Sequence, residues 1–352
     1  MNITSREIHD KALELGYSAC GIIKTEAMRD YGAMLDKRVK RFPATQPYNS
    51  YFTKFSRPDE EEPWAKSIIV CAGRYGKYKI PEELQGRTGK YYLTDYRVIP
   101  ESKECKAAAL FDEFLAQKGV EFKKSTMLGG NTACRYAAVK AGIGIIRRNN
   151  FLYTEHGSWV WLESWLIDKD MEYTHKPNLA PCPDGCTKCI DCCATGALAE
   201  PYQMNAFACA TMLTWGGLPN TLPPENLRAK MKGWLCGCDD CQDCCPMNEG
   251  KWTCEEDFPG IDYISKYITL EQLCTLDDET LIAKLSPIFF YVGQDKIWKW
   301  KVHALRAMAY QYEPKYLPYI QESLKNENEL IREMAKWALE QVESDKQRSR
   351  QL

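Results

Sequence analysis

Apolar positions after Ser5 recur with helical spacing at Ile8, Ala12, Leu13 and Leu15 and stop at Gly16, which predicts a capped helix. Tyr17 to Ile23 then reads as a strand. Ser67 to Ala72 is a stronger one, because its apolar run is continuous and β-branched. Leu110, Phe111, Phe114 and Leu115 share one side of a helix predicted over Lys106 to Lys118, and Ala133 to Ala141 reads as another, ended at Gly142. Gly157 to Ile167 is apolar without a clear period, so strand and buried helix both fit. Long irregular stretches fall at 36–64 and 76–100. Two later segments return to helical spacing: Val302, Leu305, Met308 and Ala309, then Leu330, Ile331, Met334, Ala335, Trp337, Ala338 and Val342. The pattern divides the chain into a mixed α/β region over 1–175, a loop-rich region over 176–255 and a helical region over 256–352 resembling a short α-solenoid.

The chain has 352 residues, 45% hydrophobic and 27% charged, with a formal charge of −2. That is a folded protein without a general basic coat, so nucleic-acid binding has to rest on local patches. No apolar run approaches the roughly 18 residues that a membrane span requires, and the first residues lack a basic segment followed by an apolar stretch. A cytoplasmic location without membrane contact is the expectation.

Seventeen cysteines change the picture. In a reducing compartment a disulfide framework is disfavoured. Cys20, Cys71, Cys105, Cys134, Cys254 and Cys274 are scattered, whereas the others crowd between Cys182 and Cys245. The spacing is Cys182-x3-Cys186-x2-Cys189-x3-Cys193, then Cys209, then Cys238-x2-Cys241-x3-Cys245-Pro246. In two-cluster ferredoxins, three close cysteines hold one cubane while a fourth, before a proline, reaches across to the other. That crossing assigns one [4Fe–4S] cluster to Cys182, Cys186, Cys189 and Cys245, and a second to Cys193, Cys209, Cys238 and Cys241. Cys192, Cys236 and Cys244 are left over. Because Cys192 and Cys244 each directly precede an assigned ligand, a register shifted by one residue stays open. A pair of zinc sites is the competing reading, since Cys238-x2-Cys241 would fit a zinc knuckle.

At these residues the chain resembles the epoxyqueuosine reductase family, relatives of the reductive dehalogenases. The likeness rests on Ala197-Leu198 and Pro201-Tyr202, on Gly237 to Gln242, and on Cys245-Pro246 with Asn248. Upstream, Lys90-Tyr91, Asp95-Tyr96, Arg135, Ala141-Gly142-Ile143-Gly144, Arg148-Asn149 and Gly157-Ser158-Trp159 match further family segments. The resemblance implies an α/β corrinoid-type N-terminal domain, a ferredoxin-like double-cluster insert and a HEAT-like helical C-terminal region. It also implies cobalamin, held near Gly142, Gly144, Arg148, Asn149, Gly157, Ser158 and Trp159. An external donor of the flavodoxin or ferredoxin type would supply electrons. From the residues alone, Ala141 to Gly144 imitates a dinucleotide loop, but Arg147 stands where its third glycine belongs.

One departure bears on the chemistry. Where the family carries an aspartate thought to protonate the substrate, this chain has Leu128. A reductive cleavage that expels an alkoxide or hydroxide needs an acid within reach. Tyr96 and Asp95 are the substitutes the sequence offers. Lys296-Ile297-Trp298-Lys299-Trp300-Lys301, with Arg306, interleaves bases and aromatics in a way that could grip RNA; the other reading buries Ile297, Trp300 and Ala304 and leaves the lysines in water. Lys37-Arg38, Lys40-Arg41 and Arg147-Arg148 are similar patches, and His9, His156, His175 and His303 lack metal-ligand spacing. Three functions stay in view. The first is a cobalamin-dependent iron–sulfur reductase acting on modified tRNA or a small electrophile, the second a non-catalytic electron carrier, and the third a tRNA-binding protein whose clusters are structural.

Overall fold

The computed structural model describes residues 3–125, 130–214 and 220–351. Its N-terminal region is built on a four-stranded sheet in the order β1 (Ala19–Lys24), β2 (Ser67–Arg74), β6 (Val160–Ile167), β3 (Phe122–Lys124). Every pairing in it is antiparallel, with Val70 facing Gly21 on one side and Ser164 on the other. The mixed content read from the sequence is thus realised around an antiparallel sheet. Successive side chains of a strand point to opposite faces. From β2, Ile68, Val70 and Ala72 pack with Ala137 and Ala138 of the helix Cys134–Lys140 and with Ala141, which caps it. Ile69 and Cys71 pack instead with Ile8 and Ala12 of the helix Ser5–Glu14 and with Phe111 and Leu115 of the helix Lys103–Gln117. Burial on both faces explains why β2 reads as an unbroken apolar run. It also settles Gly157 to Ile167, whose apolar part is the equally buried strand β6.

The first helix carries the cap read at its start, though the cap is Thr4: its side chain accepts from the Glu7 N–H, and Glu7 returns the bond. The stretch 36–64 contains more order than its sequence promised, including the helices Tyr31–Arg41, Gln46–Ser50 and Pro58–Glu61. Of two short hairpins, β4 (Ile145–Ile146) with β5 (Leu152–Tyr153) precedes the cysteine-rich region and β7 (Leu198–Glu200) with β8 (Gln203–Met204) lies within it, between Cys193 and Cys209.

The C-terminal region is helical, as read. Its centre is the helix Trp298–Tyr310, packed by the helices Leu270–Thr275 and Glu329–Gln351. This placement overturns the RNA-gripping reading of Lys296 to Lys301. Trp298, Lys299, Trp300 and Lys301 are all buried, and Arg306 is fully so. The alternative was right about Ile297, Trp300 and Ala304, but the lysines are not solvated either. Lys301 instead pairs with Asp278 at 2.8 Å, and Arg306 donates to the backbone carbonyls of Lys232 and Trp234. Burial, then neighbouring Lys296, pushes the Lys299 amine down to about 8.

Candidate functional site

Two short helices begin the site. Lys188–Asp191 carries Cys189 and ends at Cys192; Asp240–Asp243 carries Cys241 and ends at Cys244. They pack against each other, and loops on either side bring in the remaining thiols. Cys189 has the thiols of Cys245, Cys182 and Cys186 as neighbours, and those four, with Arg147, Arg148 and Met247, line one pocket. Cys241 has Cys238, Cys209 and Cys193. The two sets are the crossed sets read from the spacing. Four thiolates are the complement that a cubane takes, one at each iron. Among the described residues no group of three or more His, Cys, Asp or Glu stands close enough to hold a single metal ion.

Metal-free, Cys189, Cys209, Cys238 and Cys241 resist ionisation. Burial and the neighbouring cysteines push Cys189 up to about 11, and burial holds Cys241 and Cys238 well above the ordinary thiol range. Iron would reverse this by supplying the positive charge that thiolates need. The surroundings already favour anionic sulfur. The Arg147 guanidinium lies 3.9 Å from Cys182 Sγ, and the Leu198 N–H points at Cys193 Sγ at 3.5 Å. Cys193 Sγ also lies 3.8 Å from the Thr195 hydroxyl.

The segment 147–149 fastens this module to the sheet region. Arg147 donates to the Ala180 carbonyl at 2.8 Å, Arg148 to Cys186 O at 2.5 Å and Asn149 to Cys241 O at 2.9 Å. Ser158 joins in through Gln242 and Asn248, each at 2.9 Å. The glycines expected to admit a corrin face the chain itself. A Cβ on Gly142 would lie 1.7 Å from His175 O, one on Gly144 2.3 Å from Tyr153 O, and one on Gly157 2.4 Å from Asn248 Oδ1. Trp159 is buried between Tyr75 and Trp252, with the Lys90 ammonium over its ring. The residues expected around cobalamin are therefore occupied with backbone packing and with holding the cluster module.

Of the expected acids, Asp95 is engaged and Tyr96 is buried with no hydrogen-bond partner for its hydroxyl among the described residues. Asp95 accepts from Arg97 Nε at 2.8 Å, Arg97 Nη2 at 2.7 Å and the Tyr291 hydroxyl at 2.8 Å. Tyr96 is sealed beside Trp161, its hydroxyl kept protonated by burial and by neighbouring Glu163 and Tyr17. Leu128 lies outside the described residues.

A further group was not read from the sequence. Arg38 and Arg135 stand together with Tyr31 and Tyr48, and Tyr48 and Cys209 of the second thiol set are neighbours. Both guanidiniums reach Asn150: Arg38 donates to its Oδ1 at 3.2 Å, Arg135 to its carbonyl at 2.6 Å. Among the described residues neither pairs with a carboxylate, and Arg38 Nε and Asn150 Nδ2 are buried with no partner. Burial first, then Arg135, lowers the Arg38 pKa. Lys37-Arg38 looked like a surface patch; only the fold could bring Arg135 to it.

Two thiol sets in crossed order, docked on an α-plus-β domain, define a double-cluster iron–sulfur oxidoreductase. Residues 182–248 match the family model for a 4Fe-4S double cluster binding domain. The epoxyqueuosine reductase of Gloeobacter violaceus is 38% identical over 290 residues, covering 78% of this chain and 87% of that protein. A solved selenomethionine-labelled epoxyqueuosine reductase shares the fold with a TM-score of 0.76 and 25% identity, covering 96% of this chain and 90% of the other. Another, crystallised with an epoxyqueuosine-modified tRNA-Tyr stem loop, has a TM-score of 0.74 and 24% identity, covering 96% and 89%. The chain belongs to the epoxyqueuosine reductase family.

Proposed function

We propose that this chain reduces an epoxide-bearing modified nucleoside in tRNA, taking electrons from an external flavodoxin- or ferredoxin-type donor. The observation that carries the reading is the Arg38–Arg135 pair beside the second thiol set. Two guanidiniums held together without a carboxylate suit an anionic ligand, and a phosphate accepts from such a pair in good geometry. Electrons would enter at Cys182, Cys186, Cys189 and Cys245, whose loop borders solvent, and leave from Cys193, Cys209, Cys238 and Cys241, nearer the guanidiniums. The clusters supply single electrons; the protein's own residues fix the ligand and exclude water.

Cobalamin belongs to this proposal through the family alone. Because the residues expected to touch it are otherwise occupied, no step is assigned to it. The second reading, a small anionic electrophile as substrate, is favoured by Leu128 at the family's acid position. The test is queuosine formation on epoxyqueuosine-containing tRNA by anaerobic, cluster-loaded protein, with Leu128→Asp alongside. A well-placed acid contributes roughly 10²–10⁴-fold, so a weak wild-type rate that rises in Leu128→Asp supports tRNA as substrate. No turnover by either protein with both clusters intact favours the small electrophile.

A further inference from the structure

Between Cys182 and Cys245, the cluster sites leave Cys192, Cys236 and Cys244. Cys236 is sealed in the core. Cys192 and Cys244 occupy equivalent places in the two halves of the module: each closes the short helix that carries a middle ligand, and each directly precedes a crossing ligand. The two helices pack together, and Cys192 and Cys244 meet at the Lys188 carbonyl, which accepts from the Cys192 N–H at 2.9 Å. Cys244 Sγ also lies 3.4 Å from the Lys188 carbonyl, on the opposite helix. Both residues are partly exposed. Neither is needed to complete a set of four, and exposure combined with proximity distinguishes them from the buried cross-strand neighbours Cys20 and Cys71.

We propose that Cys192 and Cys244 form a reversible dithiol–disulfide couple that staples the two halves of the cluster module. The co-reactant is a small-molecule disulfide. One protein thiolate attacks its S–S bond and expels one small thiol, leaving a mixed disulfide. The second protein thiol attacks the protein sulfur of that intermediate and expels the other small thiol. One S–S bond forms and one is broken. Two electrons pass from the protein pair to the small disulfide, which leaves as two thiols carrying the two protons. Iron, sulfide and the eight ligands are not consumed. The closed bond spans the chain that carries Cys209, Cys238 and Cys241, so it restrains these ligands relative to the first half.

The experiment uses the cluster-loaded full chain, treated anaerobically with oxidised glutathione, quenched in acid, alkylated and mapped by mass spectrometry with parallel iron analysis. The expected result is a single Cys192–Cys244 cross-link, unchanged iron and reversal by dithiothreitol. Cys192→Ala and Cys244→Ala should each keep both clusters and trap a stable glutathione adduct on the remaining thiol. Recovery of both thiols unlinked while iron stays bound would overturn the proposal. So would a cross-link to any assigned ligand with loss of iron, or loss of a cluster in both alanine variants.

Discussion

Replacing Arg147 with Met should lower the reduction potential of the first cluster and leave the second nearly unchanged. The guanidinium is buried and lies 3.9 Å from Cys182 Sγ, one of the first set of thiols. Reduction adds negative charge to the cluster, so a fixed cation nearby favours the reduced state. At about 4 Å and an effective dielectric of about 20, a unit charge pair is worth about 4 kcal/mol. The added electron spreads over four irons and their sulfurs, which leaves about 1–2 kcal/mol acting near Cys182. For one electron that is about 40–90 mV. The assay is a redox titration of cluster-loaded protein followed by electron paramagnetic resonance, wild type beside Arg147→Met and Arg147→Lys. Lysine keeps the charge and should recover most of the potential, although it cannot also hold the Ala180 carbonyl in the same geometry. An unchanged first potential, or equal shifts in both clusters, would refute the electrostatic argument.

Wild-type protein should carry about eight iron and eight sulfide per chain, and Cys186→Ser should reduce iron towards about four; zinc in their place would contradict this. Asn149→Ala strands the Cys241 carbonyl and the Phe151 N–H, so a loss of about 2–4 kcal/mol is expected, with second-cluster iron released first on warming. Iron retention equal to wild type would show that Asn149 does not hold the module. Lys299→Met should stabilise the fold at pH 7 by up to about 3 kcal/mol, since the amine sits near 8 folded and about 10.4 unfolded. The unfolded chain binds the proton more tightly, so the penalty is full below pH 8 and fades as pH rises towards 10.4. Urea melts at pH 7 and pH 10 should show the gain shrinking; a gain independent of pH would locate it in packing alone.

The thiol sets were legible because ligand spacing is local and a cubane imposes its own crossing, so Cys245 could be matched to Cys182 from sequence separation alone. Helices with a clear apolar period, such as Ser5–Glu14, were equally readable. What was not legible depended on long-range neighbours. Gly142 and Gly144 signalled close approach, but a sequence does not say whether a ligand or the chain's own backbone approaches; here it is His175 and Tyr153. Lys299 and Lys301 looked solvated because lysine almost always is, and only the helices packed around them reveal otherwise. Arg38 and Arg135 meet across nearly a hundred residues, which no local pattern encodes.

Arg306 has a consequence for anyone dividing this protein into pieces. It belongs to the helical C-terminal region, yet its guanidinium clasps the carbonyls of Lys232 and Trp234 in the run leading to Cys236 and Cys238. Arg228, which offers its carbonyl to the same guanidinium at 3.4 Å, pairs through its own side chain with Glu333 at 2.8 Å. A shortened version ending near residue 256 would contain every cluster ligand and still lack the clasp that shapes the approach to two of them. For expression, for electrode work or for fusion to another reductase, the smallest useful unit is therefore the whole chain to the end of its last packed helix.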